Sequence, residues 1–290
     1  MRSDGPHVGD STGKDPAQAV SPLVRLPGLR VGQIRAVDGL TEGDVPPACR
    51  PGLISVVIPC YNEEKVLGRT LDRLLPHCVE RDLEVVISDD GSTDRTREIA
   101  RRASRCVAST DGIPRSPART RNRGANAALG EILVFIDADI LVHDPAFFFE
   151  EIRRRLQTGD LVAATADCAV YPESAGIGDR AYHLLYNRFT WLCNLLGLGT
   201  SGGWCQVVRR DAFFAVGGYD ALFPSGQDVD LFLRLSRLGK TRLIRSLLVL
   251  ESPRRYRAQG LLRTAVGWFL NGVWVYLFRR PYLKRYRTVR

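Results

Sequence analysis

Two short acidic runs directly follow two apolar stretches of this 290-residue chain. Carboxylates in that position can hold a metal ion against a polar ligand. The first stretch, EVVISDDGSTD, puts Asp89, Asp90 and Asp94 after Val85-Val86-Ile87, and the second, EILVFIDADI, puts Asp137 and Asp139 after Leu133-Val134-Phe135-Ile136. Short apolar runs with β-branched members read as buried parallel strands, and ligands of an open α/β sheet bind beyond the carboxyl ends of such strands. With Ala138 between them, Asp137 and Asp139 alternate out of their strand toward one face. Two like charges there repel unless something positive sits beside them. Hard oxygen donors select Mg2+ or Mn2+, which keep waters and accept phosphate oxygens. The first run is ambiguous, because DDGSTD is also a good turn and helix cap. A third pair, Asp228 and Asp230, opens an apolar helical pattern, either as cap and dipole-favoured acid or as part of the site.

The elements that must position these acids can be read from periodicity. ISVVIPC reads as a strand ending at Pro59, which cannot donate to a ladder. KVLGRTLDRLLPH has helical spacing at Val66, Leu67, Leu71, Leu74 and Leu75. A helix over STDRTREIARRAS takes Ser92, Thr93 or Asp94 as its cap, and a weak strand follows at CVAST. SPARTRNRGANAALG reads as a helix closed by Gly130. DPAFFFEEIRRRLQTG has Asp144 as cap, Pro145 at its first position and Gly159 at its end. LVAATADCAVY is a strand, DRAYHLLYNRFTWLCNLLGL a helix, GTSGGWCQVVRRDAFFAVGGYD a glycine-bounded loop with a short strand, QDVDLFLRLSRLG a helix, and 242–251 a final strand. Strand–helix alternation argues for a doubly wound, mostly parallel α/β sheet with flanking helices. Residues 1–50 are rich in Gly, Pro, Asp and Ser and read as a largely disordered extension, with a short strand conceivable over 20–37. The folded domain is expected over 51–253, followed by a basic, aromatic helical tail over 254–290.

Taken together, these residues resemble family-2 glycosyltransferases of the GT-A fold. The resemblance rests on IPCYNEE at 58–64, DDGSTD at 89–94, ARTRNRGANAALGEILVFIDAD at 118–139, SGGWCQVVRRDAFFAVGGYD at 201–220 and GQDVDLFLRLSRLG at 226–239. A single DxD is weak; five pieces in the family's order, across about 53–250, are strong. The resemblance implies an inverting transfer from a nucleotide-diphosphate sugar with Mg2+ or Mn2+ as cofactor. It assigns Pro59, Tyr61 and Glu63 to the nucleotide pocket and Asp90 to base recognition. Arg119, Arg121 and Asn122 fall in a nucleotide-contacting stretch, and Asp137 and Asp139 form the DxD with Asp139 nearest the metal. Asp228 becomes the catalytic base, and Gly202, Gly203 and Trp204 fall on the sugar and acceptor side. Two departures stand out. Gln227 replaces the acid that often precedes the base, so it joins the acceptor side without charge. No His occupies the late metal-ligand position; the chain has ESPRRY there, which points Arg254 and Arg255 at the diphosphate.

The tail adds a second theme. Residues 251–290 hold ten of the 41 Lys and Arg residues and one of the 32 acids, so the whole formal charge of +9 lies there and the rest of the chain is neutral. That charge, with Trp268, Phe269, Trp274, Tyr276 and Phe278 interleaved, suits either a helix docked on protein or an interfacial helix on an anionic membrane through residues 260–290. The 15 uncharged residues between Arg263 and Arg279 are fewer than the roughly 20 of a spanning helix. Nucleic-acid binding is not expected, because no recognised module accompanies the charge. Seven cysteines without a CxxC pair argue against a disulfide framework or zinc site. The first residues lack the apolar core of a signal peptide, so a cytoplasmic enzyme, peripheral at the inner membrane face, is expected. The acceptor is a glycan or a lipid-linked molecule. A polyprenyl-phosphate sugar synthase and a non-catalytic nucleotide-sugar-binding protein of the same fold are the alternatives. A nucleotidyltransferase is disfavoured, because IPCYNEE lacks a glycine-rich start.

Overall fold

Apolar residues on both faces drive the first half of the chain into a buried parallel sheet. A computed structural model describes residues 49–78, 82–108, 116–157 and 161–280. In it β1 (Arg50–Cys60), β2 (Leu83–Asp89), β3 (Arg105–Ala108) and β4 (Gly130–Ile136) pair in parallel. Every residue of β2 is buried, as a parallel strand covered on both faces requires. The register sets Cys60 opposite Asp89 and Val57 opposite Phe135, so the carboxyl ends of three strands emerge at one edge. The crossovers include α1 (Leu67–Leu74), α2 (Thr96–Ala100) and α3 (Pro117–Ala127). Leu67, Leu71 and Leu74 of α1 are buried at the expected helical spacing, each contributing about 1.5–3 kcal/mol by leaving water.

The second half completes an eight-stranded sheet of order β3-β2-β1-β4-β7-β6-β8-β5. Its strands are β5 (Ile140–Val142), β6 (Leu161–Val170), β7 (Cys205–Arg209) and β8 (Lys240–Glu251). β7 runs against both β4 and β6, while β6 and β8 are parallel. Pairing of Ile136 with Cys205 places the start of β7 beside the end of β4. β5 is antiparallel to β8, with Ile140 opposite Glu251. Around the sheet lie α4 (Pro145–Gln157), α5 (Ile177–Leu195), α6 (Arg210–Ala215), α7 (Gln227–Leu235), α8 (Arg254–Gln259) and α9 (Leu261–Phe278). The expected α/β class holds, with every antiparallel pair involving a strand of the second half.

Several local expectations need correction. β1 passes through Pro59 to Cys60. Ile54 donates to Asp82 before β2, so alternate residues from Ile54 face β2 and Pro59 faces β4. There the β1–β4 ladder has already ended at Val57, so the missing N–H costs no bond. Gly130 does not close α3, which stops at Ala127; it begins β4. A Cβ at Gly130 would lie 2.5 Å from Ser55 Oγ and 2.6 Å from its backbone N, so glycine permits close strand approach. Asp137 and Asp139 do not alternate out of a strand. They occupy the turn between β4 and β5, closed by Ile140 N donating to Asp137 O at 3.1 Å. The segment RDAFFA forms the unforeseen α6. Asp144 does cap α4, accepting from Phe147 N at 3.1 Å. The tail is two helices, broken at Gly260. The extension at 1–48, the strand over 20–37, Gly159, and Lys284, Arg285 and Arg287 lie outside the described residues.

Candidate active site

The loops after β1 and β2 are stitched into one wall. Asn62 N donates to Ser92 Oγ at 2.9 Å, and Asn62 Oδ1 accepts from Thr93 N at 2.8 Å. Glu63 N donates to Thr96 Oγ1 at 2.7 Å, and Glu64 N to Asp94 Oδ2 at 3.2 Å. Asp94 also accepts from Thr96 N at 2.9 Å, so it is the acid that satisfies the first turn of α2. Asp89 is wholly buried and accepts from Gly91 N, Ser92 N and, at 2.7 Å, Arg97 Nε. The two acids of Asp89-Asp90 therefore have different duties: Asp89 builds the turn, and Asp90 faces Arg123 at 3.6 Å. Pro59 and Tyr61 lie at the end of β1 and start of this wall, both partly exposed.

The DxD turn is neutralised by two arginines. Asp137 Oδ1 accepts from Arg121 Nη2 at 2.6 Å, and Arg121 lies over the Tyr219 ring, 5.6 Å from its centroid. Asp139 Oδ2 accepts from Arg254 Nε at 2.9 Å, while Arg254 Nη1 reaches Glu63 Oε2 at 2.9 Å. The β5–β8 register makes this contact, because it brings residue 139 beside 251–254 although 115 residues separate Asp139 from Arg254. Burial pushes the Asp139 carboxyl up to about 6 despite the opposing pull of Arg254, with Asp137, Glu63 and Glu251 adding repulsion. Tyr171 donates its hydroxyl to the Asp139 carbonyl.

The other side of the site is built from the glycine loop before β7 and the start of α7. Asp228 is pushed up to about 6, chiefly by burial, with Arg121 and the backbone N–H groups of Asp228 and Val229 pulling the other way. A Cβ at Gly203 would sit 3.7 Å from Asp228 Oδ2, so the glycine leaves room beside that carboxylate. Trp204 is buried against Tyr186 at 4.9 Å between ring centroids, and a side chain at Gly202 would strike its indole at 2.4 Å. Trp204 Nε1 and Gln227 Oε1 are buried with no hydrogen-bond partner among the described residues. Asp230, by contrast, pairs with Arg234 on its own helix.

Three expected site residues have partners within the protein. Asn122 is fully buried, donating to Tyr219 O at 2.8 Å and accepting from Tyr219 N at 2.9 Å, so it clasps the turn after α6. Arg255 lies over the Trp268 ring of α9, which leaves Arg254 as the arginine between the acids. Glu63 is buried against Arg254, which ties it to the acid cluster. Arg119 lies half-buried on α3. Sequence reasoning missed Arg123, Tyr171 and Glu251. Glu251 ends an apolar strand, the same signal that singled out Asp137. It lies 3.0 Å from His183 Nε2 and accepts from the Tyr256 hydroxyl, with Cys168 close by. Asp137 and Asp139 offer carboxylate oxygens only, with 39% and 15% of their side chains exposed. A hard-oxygen set that stays open to solvent fits a divalent cation that keeps its waters.

Comparison with known proteins gives one family. The family model described as glycosyl transferase family 2 matches residues 55–216, more than half of the chain. The succinoglycan biosynthesis protein ExoA of Rhizobium meliloti (strain 1021) is 30% identical over 197 residues, 63% of this chain and 58% of that protein's length. The fold is similar to that of a mannosyltransferase from Pyrobaculum calidifontis solved with GDP-Man and Mn2+, with a TM-score of 0.60 and 21% identity over 78% of this chain and 64% of that one. Glucosyl-3-phosphoglycerate synthase from Mycobacterium tuberculosis, solved with Mn2+, UDP and phosphoglyceric acid, gives a TM-score of 0.52 and 24% identity over 77% of this chain and 78% of that one.

Proposed function

The chain belongs to glycosyl transferase family 2, and from that premise we propose that it is a metal-dependent, inverting glycosyltransferase that moves a sugar from a nucleotide-diphosphate donor to an acceptor hydroxyl. The observation that carries this reading is that Asp90 follows β2, Asp137 and Asp139 follow β4, and Asp228 at the start of α7 is close enough to Arg121 and Asp137 to feel their charges. Among them the Asp228 carboxylate is raised to about 6 and has free space beside it at Gly203. The solved complexes of similar fold with a nucleotide and Mn2+ support the donor class.

Asp139, with Asp137 beside it, would hold Mg2+ or Mn2+, whose chemistry is to neutralise charge that develops on a leaving diphosphate. Asp90 and the wall around Tyr61 receive the base and ribose. Arg254, held between Asp139 and Glu63, is placed to give a charge-assisted hydrogen bond to the diphosphate. Asp228 Oδ takes the proton of the acceptor hydroxyl as that oxygen bonds to the anomeric carbon and the bond to the diphosphate breaks. A carboxylate near 6 is ionised at neutral pH yet more basic than an ordinary one, which suits a general base. Arg121 lies beside Asp137 and pulls on Asp228, so it couples the two ends of the site.

The test is transfer from a panel of nucleotide sugars with Mn2+, with and without chelator, in the wild type and in Asp228→Asn. Loss of turnover in the variant with donor binding retained supports the reading. Full activity in Asp228→Asn would point to the second reading, a polyprenyl-phosphate sugar synthase at the inner face of the cytoplasmic membrane, whose acceptor oxygen is already ionised. The exposed apolar faces of α5 and α9 favour keeping that second reading.

A further inference from the structure

We infer that the outer faces of α5 and α9 together form a docking surface for an anionic lipid bilayer. α9 is 18 residues long with a mean hydropathy of 1.3, and 17% of it is buried. Val266, Phe269 and Leu270 lie exposed along one stripe. α5 presents Leu185, Phe189 and Leu192 to solvent at spacings of four and three residues, again a single helical stripe. Phe189 and Phe269 meet with ring centroids 6.0 Å apart, so the two stripes form one patch. An exposed apolar surface contributed by two long helices marks an interaction site on a soluble domain.

Charge selects the occupant. α9 carries Arg263 in its first turn and is followed by Arg279-Arg280, and the whole +9 of the chain belongs to residues 251–290. Apolar faces carrying Trp and Phe and bordered by arginine match an interfacial helix on anionic headgroups, which each basic residue near the surface strengthens. A second copy of this chain would instead set the same positive charge against itself.

The attachment of α9 decides that it lies on the bilayer and does not cross it. Thr264, Asn271 and Val275 are buried against the domain. Tyr276 donates to Gly199 O at 2.6 Å, and Val275 packs with Phe223, Val229 and Leu233. Spanning would strip these contacts and carry Asn271 into hydrocarbon. The platform also abuts the acceptor side. A Cβ at Gly226, two residues before Asp228 and held at φ +76, would meet Asn271 Nδ2 at 2.6 Å, so α9 closes directly over the start of α7. On the transferase reading above, on which this step rests, a lipid-linked acceptor would reach Asp228 from the membrane side.

The test is flotation of the full chain with vesicles of phosphatidylcholine alone or mixed with phosphatidylglycerol. Binding is expected to the anionic vesicles, to weaken with salt, and to fall about tenfold or more when Leu185 and Leu192 of α5 are changed to Glu. Those exposed positions should leave folding by circular dichroism and donor hydrolysis in solution unchanged, so failure here is distinct from failure of the transferase reading. In the wild type, Trp fluorescence should be quenched by brominated lipids at shallow depth. Flotation unchanged by the α5 variants, resistance to alkaline carbonate extraction, or a stable dimer in solution that the same variants dissolve would each overturn the inference.

Discussion

The acid-rich edge after β1, β2 and β4 and the glycine-bounded edge before β7 and α7 share one site but are built on opposite terms. On the first edge Asp137 pairs with Arg121, Asp139 and Glu63 share Arg254, and Asp90 faces Arg123. Four acids face three arginines there, so all but one of its negative charges are paired before any ligand arrives. Each edge holds a raised carboxyl, Asp139 on the first and Asp228 on the second, but on the second edge Trp204 Nε1 and Gln227 Oε1 are also buried without hydrogen-bond partners among the described residues. Buried polar groups are normally satisfied, so this edge is left to be completed by what binds. On the transferase reading proposed above, the difference teaches that donor recognition is preorganised by charge, whereas acceptor recognition is deferred to the substrate.

The sharpest way to break this contrast is at Asp228. Asp228→Asn should lower kcat by about 100-fold to 10,000-fold with donor KM nearly unchanged, read by steady-state kinetics. Arg254→Ala acts on the other edge and should do the reverse, raising donor KM by about tenfold with a smaller change in kcat; an unchanged KM would detach Arg254 from the diphosphate.

The pH dependence follows from the sign of the Asp228 shift. Its carboxyl is raised from 3.8 to about 6, and the base must be ionised. The wild-type kcat/KM should therefore fall on acidification through about pH 6, and the residual activity of Asp228→Asn should fall less steeply, keeping only the part of that limb due to Asp139. Stability moves the opposite way. The folded state holds this proton more tightly than the unfolded chain, so the ionised carboxylate is a cost that is absent below about 3.8 and fully present above about 6. Asp228→Asn should melt higher than the wild type at pH 8, with the gap narrowing by pH 5. The smallest effect is expected at Gly203. An added Cβ would stand 3.7 Å from Asp228 Oδ2, an ordinary contact, so Gly203→Ala should change kcat/KM by about threefold at most while Gly203→Val costs more by crowding the acceptor.

Much of the architecture was legible along the chain, for local reasons. EVVISD and EILVFI could only be buried strands, and their acids therefore had to emerge at strand ends. Asp144 announced itself as the cap of α4. What failed locally failed for want of neighbours: Gly130 looks like a helix stop until Ser55 is set against it, and RDAFFA has too few residues to show a period. Asp89 and Asp90 are adjacent and identical in type, yet only the fold buries one under Arg97 and turns the other toward Arg123.

By itself the sequence determined which residue types could do chemistry, the order of the strands and helices that carry them, and the concentration of positive charge at the end of the chain. Those properties reside in short windows, where periodicity and side-chain chemistry act. Tertiary structure alone decided which arginine neutralises which acid, and that Asn122 serves the backbone of Tyr219. It alone laid the stripe of α9 beside that of α5. Such pairings join residues as far apart as Asp139 and Arg254, 115 positions along the chain. They depend on the register of β5 against β8, which packing sets across the whole sheet and no short window of sequence contains.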